Sequence, residues 1–518
     1  MKHSSRDRRP AAGLLILLLL VCFGLAPVAQ AVGPDTDGSI AGSNNGEGIG
    51  VLVSRTTGIW NTGTGFEALN HVTAGNQNTA TGLRALNSDI NGGFNTATGV
   101  FSLFSNTSGF FNSATGAYSL ANNISGTHNT ANGYAALYRN TADDNTATGF
   151  AALYHNTTGT NNVAVGFQAL FSNTTGDSNT ANGRDALFSN TTGDNNTANG
   201  RNALAFNITG ADNTANGVAA LNSNTAGNGN TANGVAALNS NTMGGSNTAN
   251  GQNALALNTT GNFNTANGLE ALFSNTTGDG NTASGYQALQ ANTTGTANFN
   301  TAIGYQALAG NTTGAGNTAL GVLAGTGVST AENVLCIGAT GQNVSNTTWI
   351  NNVYGTTTVS GTTVPVIVSN TGQLGTIGSS RRFKKEIEPM DQTSEAILGL
   401  KPVTFHYKSD ATGTPQFGLI AEEVAEVNPN LVVRDENGEI YTVRYDAVNA
   451  MLLNEFLKEH CKVENLTKDF QARVAQQQKE LQALTARLEE QAAQIQKVTR
   501  LRRVEVKKSA PRTVLNDQ

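Results

Sequence analysis

Lysine is absent from residues 61–340, and only four arginines (Arg84, Arg139, Arg184 and Arg201) occur there. Charged residues make up 13% of the 518-residue chain, well under the roughly 25% usual for soluble domains. A net charge of −6 with so few cations leaves no basic surface for a nucleic-acid backbone, so nucleic acid is excluded as a partner. The three cysteines, Cys22, Cys336 and Cys461, lie in unrelated segments. That spacing excludes a disulfide framework and a thiolate metal site, and Cys336 and Cys461 each read as a small buried apolar residue. No motif calls for a metal or a cofactor. The apolar run "AAGLLILLLLVCFGLA" is shorter than the ~20 residues a spanning helix needs. It follows the basic "MKHSSRDRRP" and precedes Ala29-Gln30-Ala31, so residues 1–31 read as a cleaved export signal. Val21 argues against lipidation of Cys22. The mature chain is expected to be secreted or on the cell surface, without a transmembrane span.

What the chain has in abundance is one phrase. Units open at Asn61, Asn78, Asn95 and so on to Asn333, seventeen in all, spaced by 17 residues in all but three intervals. The consensus is N-T-A-x-G-x-x-A-L-x-x-N-T-T-G-x-x, and its leucine recurs in fifteen consecutive units from Leu69 to Leu308. Gly325 stands in the leucine's place in the next unit, and the array decays near Gly338. Fixed periodicity of this kind marks a solenoid.

Seventeen residues cannot hold a helix pair, and two glycines per unit oppose helix. Asn-Thr-Ala-x-Gly suits a short strand ending in a turn, and Asn-Thr-Thr-Gly a second limb ending likewise. The expected fold over residues 61–340 is therefore mostly β, a parallel β-roll whose coils stack at about 4.8 Å into a rod of roughly 80 Å. Identical residues then lie above one another, leucine as a thin core and Asn and Thr as hydrogen-bonded ladders. One leucine per coil is a meagre core, which association of several parallel copies would supplement. A calcium-binding nonapeptide is absent, and the Thr columns read as ladder residues before they read as a glycan-facing surface. "NTAIGYQALAGNTTGAGNTALG" (Asn300 to Gly321) resembles the head repeats of YadA-type trimeric adhesins. That resemblance implies a left-handed roll in a homotrimer, although the period here is longer and no anchor barrel follows.

Residues 32–60 read as a linker and residues 341–378 as a β-rich connector without the period. Composition then shifts at "GSSRRFKKEIEPM" (Gly378 to Met390). Beyond it, Ser394 to Leu398 starts a short helix and "PVTFHYK" is a strand. "FGLIAEEVAEVNP" is a strand running into a helix, and "LVVRDENGEIYTVRY" a hairpin turning at Asn437-Gly438. Together these predict a small α+β domain over 379–450. The phrases "SSRRFKKEIEPM", "LKPVTFHYK", "FGLIAEEVAEVNPNLVV" and "YTVRYDAVNAMLLNEFLKE" resemble the peptidase S74 family, the intramolecular chaperones of phage tailspikes and endosialidases. The resemblance implies a domain that trimerises a β-rich fibre and then cuts itself off with a Ser-Lys dyad. It assigns Ser379 as nucleophile and Lys384 as base, with cleavage between Gly378 and Ser379. Ser380, where the family often has Asp, leaves Ser380 with Lys385 as a shifted alternative. A lysine can serve as base where burial or neighbouring cations favour its neutral form, and Arg381, Arg382 and Lys385 crowd Lys384. Without the resemblance the same run reads as a basic solvated turn whose cations hold Glu386 or Glu388. His406 and His460 read as ordinary strand and helix residues.

Residues 451–505 carry heptads with Leu453, His460, Thr467, Val474, Leu481, Leu488, Ile495 and Arg502 at a. Phe456, Val463, Phe470, Gln477, Leu484, Gln491 and Val498 fall at d. This predicts a coiled coil, followed by a solvated tail over 506–518. The whole reads as an exported homotrimeric fibre or adhesin-like protein, with itself and a cell-surface glycan or receptor as partners. Its enzymatic activity would be one self-cleavage per chain. The rival is a turnover enzyme, a trans-acting serine protease or a glycan hydrolase on a fibre stalk. The stalk's lack of a unique carboxylate pair argues against the hydrolase.

Overall fold

A three-residue strand opens each repeat, and its middle residue decides the architecture. In Thr197–Asn199 and its neighbours the alanine is fully buried while the flanking residues face out, as the alternation of side chains along a strand requires. The computed structural model describes residues 42–508 apart from 294–298, 355, 357–362, 370–371 and 436. It divides into two compact units, Met1–Thr356 and Thr357–Gln518.

The first unit is a single parallel sheet of nineteen such strands, from Asn45–Glu47 to Thr348–Ile350, each paired with the next along the chain. The register is strict: Thr197 lies on Thr214, Ala198 on Ala215 and Asn199 on Asn216. One coil therefore precedes Asn61. The stack also outlasts the sequence period, because "TTWINN" supplies the last strand only 13 residues after Leu335. Cys336 takes the alanine position of that series, paired with Ala319 and buried. The second limb ends in a turn, as its residue types predict. Asn-Thr-Thr-Gly forms no strand; it is a turn whose coil-to-coil bonds come from backbone and side chains together, such as Thr174 Oγ1 donating to Thr191 O at 2.9 Å.

Inside each coil the strand alanine, the second alanine and the leucine are all enclosed by their own chain, as Ala181, Ala186 and Leu187 show. In most coils the core thus holds two alanines besides the leucine, with Ser102 and Ser119 in the second alanine's place in two of them. The leucine sits at positive φ, 50° at Leu170, as does the residue two before it, 53° at Gln168. Such a conformation costs a non-glycine residue roughly 1–2 kcal/mol. Enclosure of the leucine and bonds such as Leu170 N to Ala186 O at 2.9 Å offset it. Through the interior of the array the glycine after the strand is obligatory. At Gly200, φ is +140° and an added Cβ would lie 2.4 Å from Gly217 O.

Two buried asparagine ladders run through the stack, as the near-identity of the units predicts. In one, Asn196 Oδ1 accepts the Asn213 backbone N–H at 3.1 Å while Asn213 Nδ2 donates to Gly227 O at 2.8 Å. In the other, Asn207 Nδ2 donates to Asn190 Oδ1 at 2.7 Å and to Gly210 O at 2.8 Å. This second ladder ends at Asp89, below which Val72 offers no polar group. Burial pushes the Asp89 carboxyl up to about 8, which hydrogen bonds from Asn106 and Gly92 offset only in part. The 16-residue interval from Asn129 to Asn145 breaks the ladder: Asn140 Nδ2 turns to Ala142 O at 2.7 Å, leaving Asn123 Oδ1 without a partner.

The second unit has a small core of Val424, Leu431, Val432, Val443 and Met451. Val403–Phe405 pairs antiparallel with Gln416–Gly418, and helix Ala421–Val427 follows. Val432–Arg434 and Ile440–Val443 form the expected hairpin, with Gly438 at φ +83°. The short helix is a 3₁₀ helix over Asp391–Gly399, beginning ahead of Ser394. A 64-residue helix, Tyr445–Lys508, completes the unit. Its heptad residues Phe456, Leu484 and Leu488 are exposed. Cys461 is exposed on it as well, against the expectation of burial, because it lies off the small core. Among the described residues no helix is long and apolar enough to cross a membrane. The export-signal residues lie outside the described range.

Candidate functional site

A short 3₁₀ turn brings the serine and lysine of the basic run together. Arg381–Phe383 forms the turn, Phe383 N–H donating to Ser380 O at 3.0 Å and Lys384 N–H to Arg381 O at 3.1 Å. The turn folds the five-residue separation back on itself, and Lys384 Nζ donates to Ser379 Oγ at 3.2 Å. In the shifted register Lys385 Nζ lies instead 3.7 Å from Glu386 Oε1. Gly378 precedes the pair under the Phe383 ring, where an added Cβ would stand 2.8 Å from Cδ2. The ring's other contact is the Arg382 guanidinium, 4.6 Å from its centroid. A side chain at the residue before Ser379 would displace the exposed Phe383 ring, and the backbone there is open to approach.

Ser379, Lys384 and their flanking cations are all exposed in the single chain. The arrangement can exchange a proton between a hydroxyl and an amine beside a peptide carbonyl, the first requirement of nucleophilic attack. Full activation of a lysine base calls for exclusion of water, which the single chain does not supply here. His406 lies just past its strand and His460 lies 3.4 Å from Glu464 on the long helix, both apart from the pair. No cluster of His, Cys, Asp or Glu among the described residues could hold a metal ion.

A second polar cluster was not apparent from sequence. Ser394, buried in its 3₁₀ helix, donates to Glu455 Oε1 and accepts from Asn454 Nδ2 at 2.7 Å. Lys458 Nζ donates to Glu455 Oε1 at 2.7 Å and approaches Ser394 Oγ at 3.5 Å. Lys458, then Ser394, holds the Glu455 carboxylate below its usual range, and Glu455 in turn raises Lys458. A paired lysine of this kind is charged and serves as a clamp between the 3₁₀ helix and the long helix. The only sequence signal was a polar N-E-x-x-K run inside an apolar helix face.

Residues 379–433 match the family model described as Chaperone of endosialidase, Peptidase S74. The match opens at Ser379 itself. No curated protein matches the chain, and no solved structure does.

Proposed function

We propose that the chain is an exported, trimeric, adhesin-like fibre protein. In this reading the segment from Ser379 onward assembles three copies and then removes itself. The observation that carries it is the Lys384 Nζ to Ser379 Oγ contact of 3.2 Å at the first residue of the matched chaperone segment. That segment follows a β-solenoid, and a parallel array of non-local pairings is slow to form without a template. The exposed a and d residues of the long helix supply the template, since a three-stranded coiled coil would cover them and hold three chains in register.

The chemistry balances within the chain and one water. Lys384 takes the proton from Ser379 Oγ, and the oxygen attacks the Gly378 carbonyl carbon. The Gly378–Ser379 C–N bond breaks, and the departing Ser379 nitrogen takes the proton back from Lys384. Water then hydrolyses the ester, freeing the Gly378 carboxylate and restoring the serine hydroxyl. Because both side chains are exposed in one chain, assembly would provide the enclosure that activates the lysine, which times cleavage after trimerisation. Loss of the assembler leaves the fibre kinetically trapped.

The test is the mass of the purified chain with and without Ser379→Ala. Wild type is expected to release a C-terminal fragment of roughly 15 kDa, residues 379–518 at typical residue mass. The variant should stay intact yet assemble. Intact wild-type chain in an assembled state would refute self-cleavage.

A further inference from the structure

The outward side of the array carries exposed apolar residues at several positions of the repeat, and one position carries them in nearly every coil. The residue after each strand-closing glycine runs from Phe66 to Val322, and thirteen of its sixteen members are apolar. Phe66, Leu83, Tyr134, Phe150, Val235 and Tyr305 all stand exposed. Arg184, Arg201 and Gln252 interrupt the series. Arg184 does so quietly, since its guanidinium lies 5.6 Å from the Phe167 ring centroid and its Nε is 3.0 Å from Asp185 Oδ2. A second aromatic column adjoins the first, Tyr118 meeting both Tyr134 and Tyr138 edge-on at 6.0 and 6.4 Å. An apolar strip of this length, broken at only three of its sixteen positions, marks an interaction surface.

Its geometry selects the occupant. Tyr134, Phe150 and Phe167 stack at 5.2 Å per step with interplanar angles of 11° and 9°. The ring faces are therefore covered by one another and only their edges point outward. A sugar docks on ring faces, so this wall suits flat apolar packing better than a glycan. Contact over fifteen coils, about 70 Å at the usual strand spacing, requires an occupant with the same rise per repeat. A second copy of this chain, parallel and in register, has it by construction.

We infer that the column from Phe66 to Val322 is the face by which copies of the array pack against one another. This rests on the self-association proposed above and names the surface used. In a cyclic trimer the strip of one copy would meet a different face of the next, a heterologous contact that closes after three.

Thiol protection tests it in the full chain carrying Cys22→Ser and Cys461→Ser, because Cys336 is buried and silent in the native state. Val235→Cys places a thiol in the column at a site 48% exposed in the single chain, and Ser246→Cys places one on another exposed face. N-ethylmaleimide is expected to label the first about tenfold or more slowly than the second in native protein, and both equally in denaturant. Val218→Cys, one coil away, repeats the test should Val235→Cys fold poorly. Equal native rates in material that sediments as an oligomer would overturn the assigned face and leave self-association standing. Material sedimenting as single chains would overturn both. Protection that appears only on adding a chitin oligosaccharide would assign the strip to sugar and overturn the proposal.

Discussion

Leu187, Leu204 and Leu221 of the array are fully enclosed by their own chain, whereas Phe456, Leu484 and Leu488 of the long helix stand more than half exposed. Phe417, on a strand of the same unit, is 80% exposed. The array completes its core coil by coil, from two alanines and a leucine stacked on their like. The C-terminal unit closes a core of only five buried apolar residues and leaves its longest apolar seam in the open. A seam of that length has a free-energy reason to recruit other chains, since each fully buried Leu or Phe side chain is worth roughly 1.5–3 kcal/mol. The array encloses its apolar residues within one chain, whereas the C-terminal unit leaves its longest apolar seam uncovered in one chain.

The contrast can be broken most sharply inside the array. Gly217→Val would place side-chain atoms where an added Cβ already lies 2.4 Å from Gly234 O, at φ +143°. A local cost of about 3 kcal/mol is expected, read as lost hydrogen-exchange protection in the flanking coils and none in the C-terminal unit. Asn207→Ala removes a buried link that Asn224 Nδ2 donates to at 2.8 Å. A cost of about 2 kcal/mol is expected from the unpaired neighbours, read the same way.

A different kind of effect depends on pH. The folded Asp89 carboxyl holds its proton up to about 8, against 3.8 when unfolded. The folded state therefore binds the extra proton between those values, and stability is greatest below the lower one and falls as pH rises towards the upper. Asp89→Asn should abolish that slope in melts of the array, and an unchanged slope would show that Asp89 does not set it. The smallest effect belongs to the other unit. Ser394→Ala should cost about 1 kcal/mol, loosening the 3₁₀ helix from the long helix while the array's melt stays put.

Much of the array was legible because each unit states the same instruction many times. The period, the parallel stack, the leucine core and the Asn and Thr ladders all follow from identical residues being superposed. At Asn-Thr-Thr-Gly the turn was legible from its residue types, and its asparagine points inward as a ladder rung. The last coil was invisible because Trp349 and a 13-residue spacing replace the consensus. In the C-terminal unit, the strands, helix and Asn437-Gly438 turn followed local chemistry. The Ser379–Lys384 assignment came from resemblance, and only the 3₁₀ turn explains why residues five apart touch. The Ser394–Glu455–Lys458 cluster joins positions some sixty residues apart, which no local pattern discloses.

The most direct test of the account is the native mass of the full-length Ser379→Ala protein by sedimentation equilibrium. Three times the chain mass is predicted, falling to lower order when Leu484 and Leu488 of the exposed seam are replaced by aspartate. A single-chain mass before any seam substitution would contradict the account at its centre.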